Sequence, residues 1–361
     1  MFCYIVANKY QSHYLLCMLE NILGNKMKNI NLLMIIILSI FYIGRCWAEE
    51  VNLYSARKEH LIKPLIELFE ADTGIKVNLV TAKSSQLHQR ILREGKNSPA
   101  DVLLTTDAGN LWKASSENFF QSIDSDTLNS RISSKYRDKN NLWFGLSLRA
   151  RIFVYSLDRV SKDELKGYKF LSNPIFKNRI LIRSSSNVYN QSLIAHMIAK
   201  YGERNTELWA KDLVNNFARG PAGGDRDQIK AIAAGIGDIA VVNSYYIINM
   251  INSDNKGIFD SLGIYFPNDE DMGTHFNISG AGLLINAPNP ENGKKLIEFL
   301  ASDQGQEIYS NINFEYPVVD YIEIPDVLKK LGSFKEDSIN IYEYGRLSFK
   351  AIKLADRVGW K

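Results

Sequence analysis

"EVNLYSARKEHLIKPLIELFEADTGIKVNLVTA", Glu50 to Ala82, places a helical pattern between two short strand-like runs. Apolar residues at Leu61, Leu65, Ile66 and Phe69 recur at spacings of three and four, and Gly74 stands where a helix would close. The pattern continues outward: "SSQLHQRILREG" reads as a helix opened by Ser84 or Ser85, and "ADVLLTTD" as a third strand. Strand, helix, strand, helix, strand in that order predicts an α/β fold built on a mostly parallel sheet. In such sheets ligands bind beyond the carboxyl ends of the strands, so the loops after Leu53, Val80 and Leu104 are the expected walls of a site.

A second α/β set follows "RARIFVYSLDRV", with the strand "RILIRSSS", the helices "NQSLIAHMIAKYG", "NTELWAKDLVNNFA" and "DRDQIKAIAAGIG", and the strand "DIAVVN". After His275 comes the apolar, glycine-rich "NISGAGLLINA" and then a helix over "NGKKLIEFLASDQGQEIYS". The extended runs "RARIFVY" and "SGAGLLI" each lead from one set into the other and are read as hinge crossings between two lobes. Lobe 1 is expected over residues 49–150 plus about 278–317, and lobe 2 over 151–277 plus about 318–361.

The first 48 residues stand apart from this organisation. Lys28 precedes the apolar run "INLLMIIILSIFYIG", and "RCWAEE" offers Ala48 as a cleavage point, which predicts a secretory signal removed after Ala48, with residues 1–26 an upstream extension before Met27. The run is shorter than the ~20 residues that span a bilayer. Cleavage takes away Cys3, Cys17 and Cys46, so neither a disulfide nor a thiolate metal site is available to the exported chain. It also removes Lys9, Lys26, Lys28 and Arg45 against Glu20, leaving acidic and basic residues in equal number. That balance gives no support for nucleic-acid binding, and a soluble exported protein without stable membrane insertion is expected.

The chain carries no phosphate-binding loop of Walker type, no dinucleotide glycine fingerprint, no G-x-S-x-G and no H-E-x-x-H. "GPAGGD" is read as a turn before a helix, whose N–H groups could meet an anion. His88 and His196 fall inside helical patterns and suit solvated or core roles. Tyr245 and Tyr246 differ, because they end the buried run "DIAVV", and Tyr189 in "SSSNVYNQS" also lies between a strand and a helix start. Neighbouring side chains diverge in regular structure, so a tight turn would be needed to bring both hydroxyls of the pair to one point. They are either ordinary surface aromatics or a converging set of phenols. Phenolate is a hard anionic donor suited to a trivalent cation such as ferric iron, and it binds only if the metal displaces a proton held at a pKa near 10.

These segments resemble the periplasmic ferric-iron-binding proteins, the solute-binding components of iron ABC transporters. The resemblance runs through "VNLYSARKEHLIKPLIELFEADTGIKV", "EGKNSPADVLLTTDAGNL", "WFGLSLRARIFVYS", "SSSNVYNQSL", "GGDRDQIKAIAAGIGDIAVVNSYY", "SGAGLLINAPN" and "EYPV". It implies a two-lobed class II periplasmic binding protein, each lobe a mostly parallel sheet flanked by helices, closing on its cargo by hinge motion.

By that resemblance Tyr245 and Tyr246 match the paired tyrosine ligands of the family, and Tyr189 matches a third found in one branch. Where some members place a histidine and a tyrosine after the first strand, this chain has Lys58 and Glu59, with His60 just beyond. The resemblance therefore implies His60 or Glu59 as the first-lobe ligand. Other members hold a carbonate-like anion with arginine, which points to Arg57 and Arg149, and Asn243 resembles an anion-contacting position. The expected cargo is Fe³⁺ with carbonate or another small synergistic anion. The expected partners are an ABC permease and its ATPase, with the binding protein itself a monomer. A protein of the same fold for polyamine, thiamine or an anion is the alternative within the class, and a tyrosine-ligated metalloenzyme the alternative outside it.

Overall fold

Strand β1 (Glu50–Ser55) passes into helix α1 (Glu59–Thr73), β2 (Lys76–Thr81), α2 (Ser84–Glu94), β3 (Val102–Thr106), α3 (Ala108–Ser116) and α4 (Asp126–Arg131). The long strand β4 (Phe144–Ser156) follows, then β5 (Ile180–Leu181), α5 (Val188–Tyr201), α6 (Glu203–Asn215), α7 (Asp225–Ala233), β6 (Ile239–Asn243), α8 (Tyr245–Ile251) and β7 (Leu262–Tyr265). The chain ends with β8 (Phe276–Leu283), α9 (Pro290–Leu300), α10 (Asp303–Asn311), α11 (Asp326–Lys329) and α12 (Tyr342–Arg357). This computed structural model describes residues 49–253, 256–268 and 272–361, so the export signal read in residues 1–48 lies outside the described residues. Among the described residues no helix is long and apolar enough to cross a membrane.

The sequence periodicities explain the local elements, with small corrections. Gly74 closes α1 with φ 72°, a left-handed conformation that costs glycine little. The buried face of α1 is Ile62, Leu65, Ile66 and Phe69, so Ile62 takes the place expected for Leu61. Helix α2 begins at Ser84 itself with Lys83 as the flanking residue, and the Gln86 side chain turns back to accept the Lys83 N–H at 3.1 Å. The single helix expected over Asn292–Ser310 is broken in two at Ala301 and Ser302, where the Ser302 hydroxyl accepts the Gly305 N–H at 3.2 Å and starts α10.

The strands join in the order β2-β1-β3-β8-β4-β6-β5, with β7 on β4. Pairing is parallel for β1 with β2 and β3, and for β5 with β6; it is antiparallel where β8 and β4 enter. Strand β4 is buried along its whole length and changes partners midway. Phe144 to Ala150 pair with β8, and from Arg151 onward the partners are β6 and β7. Ser279 to Ala281 lie between β3 and the first half of β4, and Gly282 and Leu283 pair with β3 alone. Close approach is built into the C-terminal helix: a Cβ on Gly345 of α12 would fall 2.1 Å from Trp112 Cβ of α3. Helix α12 thus seats on α3 as well as on α5. The result is a mixed α/β architecture in which β1 and β3 from one half-sheet, and β6 from the other, end around a common depression.

Candidate functional site

Two strand ends and the middle of β4 build one side of this depression. The segment after β1 brings Arg57, Lys58, His60 and Leu61, β3 ends in it at Thr106, and Arg149 of β4 forms its floor. The opposite wall is Tyr189 from α5, Tyr245, Tyr246 and Asn249 from α8, and Arg226 from α7, and Asn313 and Glu315 close it. The cavity holds about 200 Å³. Of the three loops anticipated at strand ends, those after β1 and β3 contribute and the loop after β2 does not.

The tyrosine pair meets without a tight turn. Ser244 is already helical at φ −56° and ψ −42°, so Tyr245 and Tyr246 are the first residues of α8, and their ring centroids lie 4.2 Å apart at 33°. Tyr189 is the second residue of α5, its N–H donating to the Asn187 side chain at 3.0 Å in an N-cap. Three guanidinium carbons surround the Tyr189 ring, Arg183 at 5.4 Å, Arg149 at 5.5 Å and Arg151 at 5.9 Å from its centroid, and Arg226 stands 5.7 Å from that of Tyr246. Burial first, then the neighbouring phenols, pushes Tyr245 well above the ordinary tyrosine pKa. Burial likewise pushes Tyr246 up to about 12. Both phenols are therefore neutral at physiological pH, and a ligand that needs phenolate must displace their protons.

Arg57 is committed to a partner that sequence reasoning missed. Its Nη1 donates to Ser279 Oγ at 2.8 Å and to Glu315 Oε2 at 3.1 Å, and its Nη2 to Glu315 Oε1 at 3.0 Å, a forked pair buried at both ends. Ser147 adds a hydroxyl donor to the same carboxylate. Although burial raises the pKa of Glu315, Arg57 and Arg149 outweigh it and hold the carboxyl below its usual range. Arg149 donates through Nη2 to the Ile278 carbonyl at 2.6 Å. The buried Nε–H groups of Arg57 and Arg149 have no partner among the described residues.

The sequence candidates divide accordingly. Tyr189, Tyr245, Tyr246, His60, Arg57 and Arg149 come together around the cavity. Glu59 sits exposed in the first turn of α1, and Asn243 is buried behind the wall, its side-chain oxygen accepting Arg151 Nη1 at 3.2 Å; neither lines the cavity. Thr106, Arg226, Asn249, Asn313 and Glu315 were not anticipated. Glu315 stands in the "EYPV" stretch, between Phe314 at φ 57° and a buried tyrosine, where no periodic pattern marks it. The "GPAGGD" turn is spent internally, the Gly224 N–H donating to Asp227 Oδ2 at 2.6 Å and Asp225 turning inward. Among the described residues no group of three or more His, Cys, Asp or Glu is placed to hold a metal, and the three phenol oxygens of the wall are hard donors.

The description "Bacterial extracellular solute-binding protein" belongs to the family matched by residues 97–338. Iron uptake protein A1 of a Synechocystis strain is 41% identical over 316 residues, 87% of this chain and 88% of that protein. The Fe(3+)-binding periplasmic protein of Serratia marcescens is 30% identical over 274 residues, 75% of this chain and 79% of that one. Among solved structures, Trichodesmium FutA in complex with iron and citrate ligands superposes with a TM-score of 0.83 at 49% identity, over 86% of this chain and 100% of that chain. Mannheimia haemolytica ferric iron-binding protein A in an open conformation gives 0.82 at 42%, over 87% and 99%.

Proposed function

This chain belongs to the bacterial extracellular solute-binding protein family, and from that premise we propose that it captures ferric iron in the periplasm and delivers it to an ABC permease and its ATPase. The observation that carries this reading is the convergence of Tyr189, Tyr245 and Tyr246 at the starts of α5 and α8, in one cavity ringed by guanidinium groups. Three phenolates would match the charge of a trivalent cation, and Arg149 and Arg183 favour the anionic forms of Tyr245 and Tyr246 against the effect of burial. The relatives and neighbours named for iron, at up to 49% identity, support the same cargo.

His60 is assigned as the ligand from the opposite wall, in preference to Glu59, because only His60 reaches the cavity. A small anion such as carbonate would find the unpartnered Nε–H groups of Arg57 and Arg149, with Asn243 serving as a brace behind the tyrosines. The lobes assigned are residues 49–150 with about 278–317 and residues 151–277 with about 318–361. The change of strand partners in β4 between Ala150 and Arg151 supports a hinge there. The protein acts by binding and release, without turnover.

The test is to purify the protein with and without ferric citrate. A visible absorption band from phenolate-to-iron charge transfer is expected, and it disappears in the Tyr245→Phe, Tyr246→Phe double variant. A colourless wild-type protein without ferric affinity overturns the assignment.

A further inference from the structure

Behind the tyrosine wall lies a buried ionic knot centred on Asp225, the first residue of α7. Its carboxylate accepts Arg151 Nη1 at 2.8 Å and the Asn243 N–H at 2.8 Å through Oδ2, and Arg183 Nη1 at 3.1 Å through Oδ1. Asp225 is fully enclosed and the Arg151 side chain is 1% exposed. Arg151 extends the knot, donating through Nη2 to Asn190 Oδ1 at 2.8 Å, while the Asn190 amide donates to the Arg183 carbonyl at 2.7 Å. One carboxylate is thereby tied to two separate segments. Asn190 is the residue next to Tyr189, and Asn243 stands two residues before Tyr245. Arg151 is also the first residue of β4 to pair with β6.

We propose that Asp225 is a positioning residue of the binding site, locking the segment that carries Tyr189 against the segment that carries Tyr245 and Tyr246 so that the phenols are set before cargo arrives. The proposal rests on the reading of those tyrosines as iron ligands. A buried carboxylate shared by two guanidinium groups is an expensive arrangement to maintain and a strongly directional one. A role confined to folding and a positional role of Asp225 separate when the carboxylate is exchanged for its amide. If the knot only supported the fold, Asp225→Asn would lower stability and leave iron affinity and the charge-transfer band intact. If it positions the phenols, Asp225→Asn weakens binding, by about 10- to 100-fold as for other residues that orient metal ligands.

The measurement is ferric affinity by competition with citrate, alongside the charge-transfer band, in wild type and in Asp225→Asn, with folding checked by circular dichroism. A folded variant with at least tenfold weaker binding and a shifted or weakened band supports the proposal. Unchanged or tighter binding, weaker binding with an unaltered band, or a lowered melting temperature with affinity and band intact, overturns it. A wild-type protein that shows no band defeats the iron reading itself, a result separable from failure of Asp225 because it is seen before any variant is made. Should Asp225→Asn fail to fold, amide hydrogen exchange on the wild-type chain decides. Protection at residues 187–191 and 243–247 that is unchanged by ferric citrate supports a preset wall, and protection that appears only with iron overturns it.

Discussion

Asp107, the last residue before α3, accepts the Ser192 hydroxyl of α5 at 2.6 Å, so a carboxylate at the end of β3 holds a helix that carries one of the site tyrosines. The same carboxylate accepts the Asn277 amide at 2.7 Å and the Gly109 N–H at 2.9 Å, and its backbone is held at φ 81°. A non-glycine residue in that region is strained and persists only where its surroundings fix it.

Burial pushes the Asp107 carboxyl up to about 6, against the pull of its hydrogen bonds and of Arg149 and Arg151. The folded-state value thus exceeds the unfolded value of about 3.9. Its contribution to stability is fully present below pH 4 and is lost as pH rises through about 6, roughly 3 kcal/mol across the window. Urea midpoints measured between pH 4 and 7 are expected to show this decline in the wild type and a flatter profile in Asp107→Asn. A variant with the same pH slope as the parent contradicts the assignment.

Iron binding is expected to strengthen as pH rises, because the phenols of Tyr245 and Tyr246 are held neutral by burial and must surrender protons. Each proton displaced adds about tenfold in affinity per pH unit. Competition titrations at pH 6 and 7 should therefore differ by at least tenfold, and Tyr246→Phe should reduce the slope. Affinity independent of pH would exclude phenolate ligation.

Arg57 and His60 should separate by observable. Removing Arg57 strands the buried Glu315 carboxylate, so Arg57→Ala is expected to destabilise the fold by about 3–5 kcal/mol. His60 is exposed, and His60→Ala should leave stability within about 0.5 kcal/mol while reducing iron retention. Thermal melts of the iron-free proteins check the first statement and citrate competition the second. A His60→Ala protein that retains iron like the parent removes His60 from the ligand set.

Gly345→Val tests the seat of the C-terminal helix. The new Cβ would collide with Trp112 and approach the Ala108 carbonyl at 3.0 Å. Overpacking of this kind costs about 1–3 kcal/mol, and a melting temperature equal to the parent's would show that α12 can shift off α3.

Local periodicity carried much of the fold. The alternation after Glu50, the Gly74 terminus and the buried run before the tyrosine pair are all near-neighbour patterns, and the elements form where those patterns stand. What depends on distant partners was not legible. Arg57 looks like a free cation in "YSARKEH", but its charge is matched by Glu315, 258 residues on. Leu61 lies at an apolar position of α1 yet lines the cavity, while Ile62 enters the core. The tyrosines were legible as a motif, and their geometry was not, because the helix begins at a Ser244 that is itself helical and makes no side-chain cap, so no local capping signal marks the start.

The placement of β8 sets the order in which the molecule can be completed. Strand β3 is flanked by β1 on one side and by β8 on the other, and β8 is synthesised only after the whole of β4 to β7. Until then the edges of β3 and of the first half of β4 present unpaired backbone groups, open to wrong partners. Folding of the first half-sheet must therefore wait for the last third of the chain, a wiring that favours slow, late closure over stepwise folding from the amino end.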